Sequence, residues 1–453
     1  MKFVSTRGSC AARSFSEIAL EGMAPDGGLY VPESIPDFRP LLPSLLGLSW
    51  EDLAVKVMHA YADDLTELEL RGLIRQAAAT FSNSKVVPLV DIGPCRVLEL
   101  FHGPTLAFKD VALQFLGALF EFLLARSGGR LNIVGATSGD TGSAAICALR
   151  GRARIGVTIL HPEGRTSPLQ RKQMTTVLDD NIHNLSVQGS FDDCQALVKT
   201  LMNDLEFKEK HQLGAINSVN FARILAQIVY YFSAWSQAGG KPLSFVVPTG
   251  NFGDIYAGYL AARMGLPVRK LVLASNANDI LPRFFSTGDY RRGQVHHTAS
   301  PSMDIQVASN FERYLWHLQG GESTRALLEQ FNRSGSLRVE SPDPAGLFAA
   351  VSCDDSQTLQ AVKEAHAQSG GYVLDPHTAT AWHAARQTGL LGSDCVLLAT
   401  AHPAKFPDTV REALPGVHPR HDILDRLETL PERCGRLAND LEALKDVVNR
   451  NAV

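Results

Sequence analysis

From about Cys95 onward, short β-branched apolar runs alternate with stretches of helical apolar spacing. Few folds accept that pattern. Strand patterns lie at 96–100, 131–136, 154–160, 184–187, 243–247, 268–275 and 395–399, and helical patterns at 111–124, 143–150, 194–207, 221–236 and 255–264. The alternation predicts an α/β fold with mostly parallel sheets covered by helices. Ligands of such sheets sit at the carboxyl ends of strands, so the loops after strands hold the functional information. The first ninety or so residues differ. Helical spacing at 53–61 and 65–78, and one short strand at 29–31 between Gly and Pro turns, predict a small N-terminal domain of short helices.

Composition narrows the function classes. Lys+Arg is 43 and Asp+Glu 47, a net charge of −4, which argues against a general nucleic-acid or membrane-surface binder. The seven cysteines are widely spaced with no CxxC, so neither a disulfide framework nor a zinc site is expected, and a reducing cytoplasm fits. The apolar stretch 111–124 carries Gln114 and Glu121 and is shorter than a span of about 20 residues. It reads as a buried core helix. The start lacks the apolar core of a signal peptide.

Four strand-end loops carry candidate chemistry. In LELFHGPTLAFKD (98–110), Lys109 precedes a long apolar helix. Partial desolvation there lowers an amine's pKa and suits it to nucleophilic work; alternatively the side chain snorkels to solvent beside Asp110. In GATSGDTGSAA (135–145), glycines and hydroxyl side chains open a helix, forming either an anion nest for phosphate or carboxylate, or an ordinary capped turn. VVPTGNFGDIYAG (246–258) repeats strand, glycine turn and helix. Gly250 and Gly253 allow close backbone approach to an anion. In LLATAHPAKF (397–406), Thr400 ends a strand and either caps a turn or meets a ligand ring nitrogen.

Taken in order, these loops resemble those of the threonine synthase family. The likeness includes STRG (5–8), APDGGLYVPE (24–33), ELFHGPTLAFKD (99–110), GATSGDTGSAA, SPLQRKQMTT (167–176), DDCQALVK (192–199), NSVNFARILAQIVYYF (217–232), PTGNFGD (248–254), DPHTA (375–379) and TAHPAKFP (400–407), with no departure at motif positions. The resemblance implies a two-lobed pyridoxal-phosphate enzyme of fold type II, related to the tryptophan synthase β-subunit. It implies an N-terminal domain at 1–93 and a catalytic region at 94–453, with a small subdomain at roughly 105–225 and a discontinuous large one. It also implies that Lys109 holds pyridoxal phosphate and then moves protons. Gly250, Asn251, Phe252, Gly253 and Asp254 would cradle the cofactor phosphate, and Thr400 would meet the pyridine nitrogen. Thr137, Ser138, Gly139, Asp140 and Thr141 would take the substrate carboxylate. Arg165, Ser167, Asn217, Asn220 and Arg223 are candidates for the substrate phosphate, with Arg223 and Asn217 ranked first.

The implied reaction converts O-phospho-L-homoserine and water to L-threonine and phosphate, in a cytoplasmic monomer or homodimer without nucleic-acid, membrane or metal partners. The nearest alternative is a threonine-synthase-like phospho-lyase releasing 2-oxobutyrate, ammonia and phosphate. A catalytically dead binding protein on the same fold is opposed by Lys109. His296-His297 and Arg291-Arg292 read as solvated loops, Trp50, Trp235, Trp316 and Trp382 as packing residues, and His102 and His402 as pocket-wall or structural histidines.

Overall fold

The computed structural model describes residues 1–453 apart from Ser138, Arg165 and Asn217. Its strands, in chain order, are β1 (Phe3–Ser5), β2 (Tyr30–Pro32), β3 (Leu89–Asp91), β4 (Arg96–Glu99), β5 (Leu131–Ala136), β6 (Ile155–Pro162), β7 (Ile182–Val187), β8 (Leu213–Gly214), β9 (Leu243–Pro248), β10 (Val268–Ser275), β11 (Asp289–Arg291), β12 (Ser336–Arg338), β13 (Phe348–Ser352), β14 (Cys395–Ala399) and β15 (Gly435–Leu437). Two sheets organise the molecule. The larger has the order β13-β10-β9-β14-β4-β3 and is parallel except for β3. The smaller, β15-β7-β6-β5-β8, is parallel throughout. All eight residues of β6 are buried, as expected of a parallel strand covered on both faces.

The Lys109–Ser127 helix is apolar on nearly every face and is buried accordingly. Among the described residues no helix is long and apolar enough to cross a membrane. The Phe221–Gln237 helix packs beside it, with Asn220 as N-cap, its side chain accepting from Ala222 N at 3.0 Å. The N-terminal helices follow their local signals: Ser49 caps Trp50–His59, and Thr66 with Glu69 forms a capping box on Glu67–Ala78. Their apolar faces join one core that runs from Phe3 through both long helices to Leu398. β3 lies before residue 93 yet pairs with β4 in the larger sheet. The pattern at 194–207 resolves into two helices, Phe191–Asn203 and Leu205–Lys210, because Asp204 is extended and its carboxylate caps the second. β15 returns from the far end of the chain to the smaller sheet, a pairing that local periodicity did not suggest.

Candidate active site

Three adjacent parallel strands, β9, β14 and β4, end side by side and deliver three of the four loops singled out above. After β4 the chain turns through Leu100–Phe108 into the helix that starts at Lys109. This turn is stitched to the segment after β14: Phe108 N donates to Thr400 O at 2.8 Å, and His402 N to Leu106 O at 3.1 Å. The fourth loop follows β5 in the smaller sheet. Residues from both sheets then line one cavity, including Lys109, Asp140, Thr141, Ser218, Arg223, Gln227, Thr249–Asp254, Ser302, His377 and Thr400.

The loop after β9 is built for backbone exposure to a ligand. Phe252, at the N-cap of the Gly253–Arg263 helix, has φ +62°, a conformation unfavourable for a side chain. Burial of its ring against Phe285 and Phe311 offsets that strain. The segment 302–310 presses from behind. A Cβ on Gly250 would meet Met303 Cα at 3.1 Å, and Asn251 O accepts from Asn310 N at 3.0 Å. Residues 250–254 line the cavity at this helix start, whose first amides have no acceptor within the helix, an arrangement that fits a phosphate.

Electrostatics separate the acids and bases. The Lys109 side chain keeps about 12% exposure, and burial lowers its amine pKa; nearby Asp140 opposes that shift, while Lys405 and Arg223 reinforce it. Asp140 Oδ2 lies 3.8 Å from Lys109 Nζ, and Asp140 Oδ1 lies 2.7 Å from Lys405 Nζ. Burial works to raise the Asp140 carboxyl, but the two lysines outweigh it and hold it far below the usual range. Asp254 behaves oppositely. Burial pushes it up to about 7, although Tyr230 and Tyr231 hydroxyls donate to its Oδ1, and Oδ2 is buried without a partner. Burial lowers the Arg223 guanidinium to about 10.

The expected residues fall into three groups. Lys109, Gly250, Asn251, Phe252, Gly253, Asp254, Thr400, Asp140, Thr141 and Arg223 converge on the cavity. Thr137 does not line it. Its hydroxyl accepts from Gly139 N at 3.1 Å and Gly142 N at 2.9 Å, so it shapes the loop. Gly139 packs under Gln170, and Ser167 is exposed, capping the Pro168–Thr175 helix through Gln170 N. Asn220 is engaged with Ala19 O and Ala222 N. Ser138, Arg165 and Asn217 lie outside the described residues. His102 bonds Glu99 at 2.8 Å, and His402 caps a turn through Ala404 N. His296-His297 and Arg291-Arg292 are exposed, while Trp235 and Trp382 are core residues.

Three participants were missed. Lys405 is a buried cation inside TAHPAKFP. His377, inside DPHTA, lines the cavity; its Nε2 accepts from Ser302 N at 3.2 Å and its Nδ1 lies 3.0 Å from Asp375 Oδ1. A proton on Nδ1 satisfies both contacts. Gln227, one helical turn beyond Arg223, completes that wall. The available signal was position within a quoted motif, and nothing in the residue types separated them from neighbours.

Known proteins resemble this chain along its whole length. The family described as "Pyridoxal-phosphate dependent enzyme" matches residues 97–401, "Threonine synthase N terminus" matches 2–78, and "Threonine synthase, C-terminal" matches 378–448. Threonine synthase from Pseudomonas aeruginosa is 46% identical over 100% of this chain and 98% of its own. The crystal structure of PLP-bound threonine synthase from Brucella melitensis superposes with a TM-score of 0.96 at 44% identity, covering 100% of this chain and 99% of that one. Threonine synthase-like 2 from Xenopus laevis is more distant, 35% identical over 91% of this chain and 90% of its own.

Proposed function

The chain belongs to the threonine synthase family of pyridoxal-phosphate enzymes, and from that premise we propose how its own residues convert O-phospho-L-homoserine and water to L-threonine and phosphate. The observation that carries the reading is the meeting of Lys109, the glycine turn after β9 and Thr400 at the ends of three neighbouring strands. The residues fit the cofactor: a partly desolvated amine, a helix start and a hydroxyl side chain lie on one cavity. Lys109 would attach it, Gly250–Asp254 would hold its phosphate, and Thr400 would face its ring nitrogen. Bound there, pyridoxal phosphate supplies a conjugated, electron-withdrawing system that acidifies the carbons beside the substrate amino group.

Lys109 then takes protons from the substrate Cα and Cβ and returns protons at Cγ and Cα, an exchange favoured by an amine whose pKa burial has lowered from its ordinary value. Thr141 and the backbone amides after β5 orient the substrate carboxylate, and Arg223 draws the γ-phosphate to the wall opposite. The phosphate leaves from Cγ as the Cβ proton is removed, a proton is then delivered to Cγ, and water adds its hydroxyl at Cβ. Burial of Asp140 and Arg223 beside Lys109 keeps bulk water away from the charged intermediates. We further propose the division into residues 1–93 and 94–453, with lobes that close on substrate.

Product analysis with O-phospho-L-homoserine tests the reading. L-threonine and phosphate in equal amounts are expected; 2-oxobutyrate and ammonia would replace it with the phospho-lyase. Borohydride treatment should fix the cofactor on the peptide containing Lys109, and Lys109→Ala should lose both that mass tag and turnover.

A further inference from the structure

We propose that Lys405 is a positioning residue, holding the Asp140 carboxylate as the counter-ion that Lys109 meets whenever its amine carries a proton. The proposal rests on the reading of Lys109 given above and concerns residues to which that reading gave no such part. Asp140 starts a helix in the loop expected to take a substrate carboxylate, where a free acid would repel the ligand. It is not free. Oδ1 lies 2.7 Å from Lys405 Nζ and accepts from Gln170 Nε2 at 3.1 Å; Oδ2 accepts from Ser302 Oγ at 3.4 Å and faces Lys109 Nζ at 3.8 Å.

Lys405 has no solvent-exposed side-chain surface, and among the described residues it also donates to Thr105 O at 2.8 Å. Thr105 in turn fixes Asp110, next to Lys109, through its amide and hydroxyl, each 2.8 Å from the carboxylate. One ammonium thereby ties together the loop bearing Thr400, the loop bearing Lys109 and the helix bearing Asp140. A buried lysine is costly to retain unless paired, and this one is paired with Asp140 and donates to Thr105 O, two groups that border the reacting amine.

The spacing gives the arrangement its use. When Lys109 removes the Cα proton, the C–H bond breaks, an N–H bond forms, and the electron pair stays with the substrate carbon. A neutral amine becomes an ammonium where water is scarce. Asp140 stabilises that charge from 3.8 Å, yet its closer partner is Lys405, so Lys109 is stabilised without being locked into a contact pair. Of the other charged groups facing Lys109, Arg223 and Lys405 disfavour its protonation and Asp110 favours it, while His377 faces Asp140.

Competitive labelling of the cofactor-free full chain with acetic anhydride, read at the Lys109 peptide by mass spectrometry across pH, reports where that amine titrates. Lys405→Met should raise the midpoint and Asp140→Asn should lower it, each by about half a unit or more, while Lys405→Arg leaves it in place. A residue serving packing alone would not shift the two variants in opposite directions. In the loaded enzyme, Lys405→Met should lower kcat about tenfold or more with KM changed less than about threefold, and Lys405→Arg should recover most of the loss. Midpoints that stay put or move together, or an unchanged kcat in Lys405→Met, overturn the proposal. If Lys405→Met does not fold, Lys405→Arg and Asp140→Asn decide it by the same midpoints. Failure of borohydride to fix the cofactor on Lys109 in the unmodified enzyme would sink the parent reading instead.

Discussion

Gly103 shows how tightly the chain is drawn in around the reactive amine. A Cβ there would meet Asp110 Cβ at 2.4 Å, and Asp110 cannot retreat because Thr105 grips its carboxylate. Gly103→Ala should cost about 1–3 kcal/mol in a urea titration and lower cofactor affinity, since Lys109 must shift with its neighbour. Asp254 makes a prediction with a sign. Its folded pKa, about 7, lies above the ordinary carboxyl value of 3.8, so the folded state binds the extra proton between those values. Stability from this group is present below about pH 4 and is lost as pH rises through 7. Asp254→Asn removes that titration. Melts at pH 5 and pH 8 should show the variant gaining on the unmodified chain at the higher pH, by about 3 kcal/mol at most. Equal differences at both pH values would contradict a proton on Asp254.

Local elements were the legible part of the sequence. β5, β10 and β14 fall where alternation placed them, because each is a buried run bounded by turn residues. The glycine turn after β9 and the lysine after β4 were readable as motifs. Less legible was what Thr137 does, because a hydroxyl beside glycines suits a ligand and a loop equally well. Here it accepts two amides, and its methyl packs where a Cβ on Gly142 would sit, 2.4 Å away. Thr137→Val keeps the shape and deletes the acceptor. It should cost about 1–3 kcal/mol and raise KM for O-phospho-L-homoserine more than it lowers kcat, because the loop carrying Asp140 and Thr141 loses its anchor. The break at Asp204 was missed because one acidic residue amid apolar spacing reads as a solvent-facing helix position, and only backbone geometry turns it into a cap.

Across the whole molecule, contacts between distant segments decide what local patterns cannot. Arg313 is fully buried and donates to Tyr30 O at 2.9 Å, to Val219 O and to Asn310, joining β2, the approach to the Phe221–Gln237 helix and the segment behind the glycine turn. Arg313→Met should lower the unfolding free energy by about 2–4 kcal/mol, read as a lower urea midpoint at an unchanged slope, since it strips donors from buried acceptors without altering the surface exposed on unfolding. The same separation explains why Lys405 escaped the sequence: its partners Asp140 and Thr105 stand far away in the chain, and the Ser302 amide that meets His377 is likewise distant, while residue type alone does not report a partner. The strand order has a consequence in time. β14 lies between β4 and β9 at the centre of the larger sheet, yet it is made some 300 residues after β4 (399 − 99). At roughly 5–20 residues per second, a ribosome leaves β4 waiting about 15–60 s for its neighbour. During that interval the nascent chain presents unpaired edges that a chaperone must shield, and a ribosome stalled before residue 395 holds two halves of a sheet with nothing to join them.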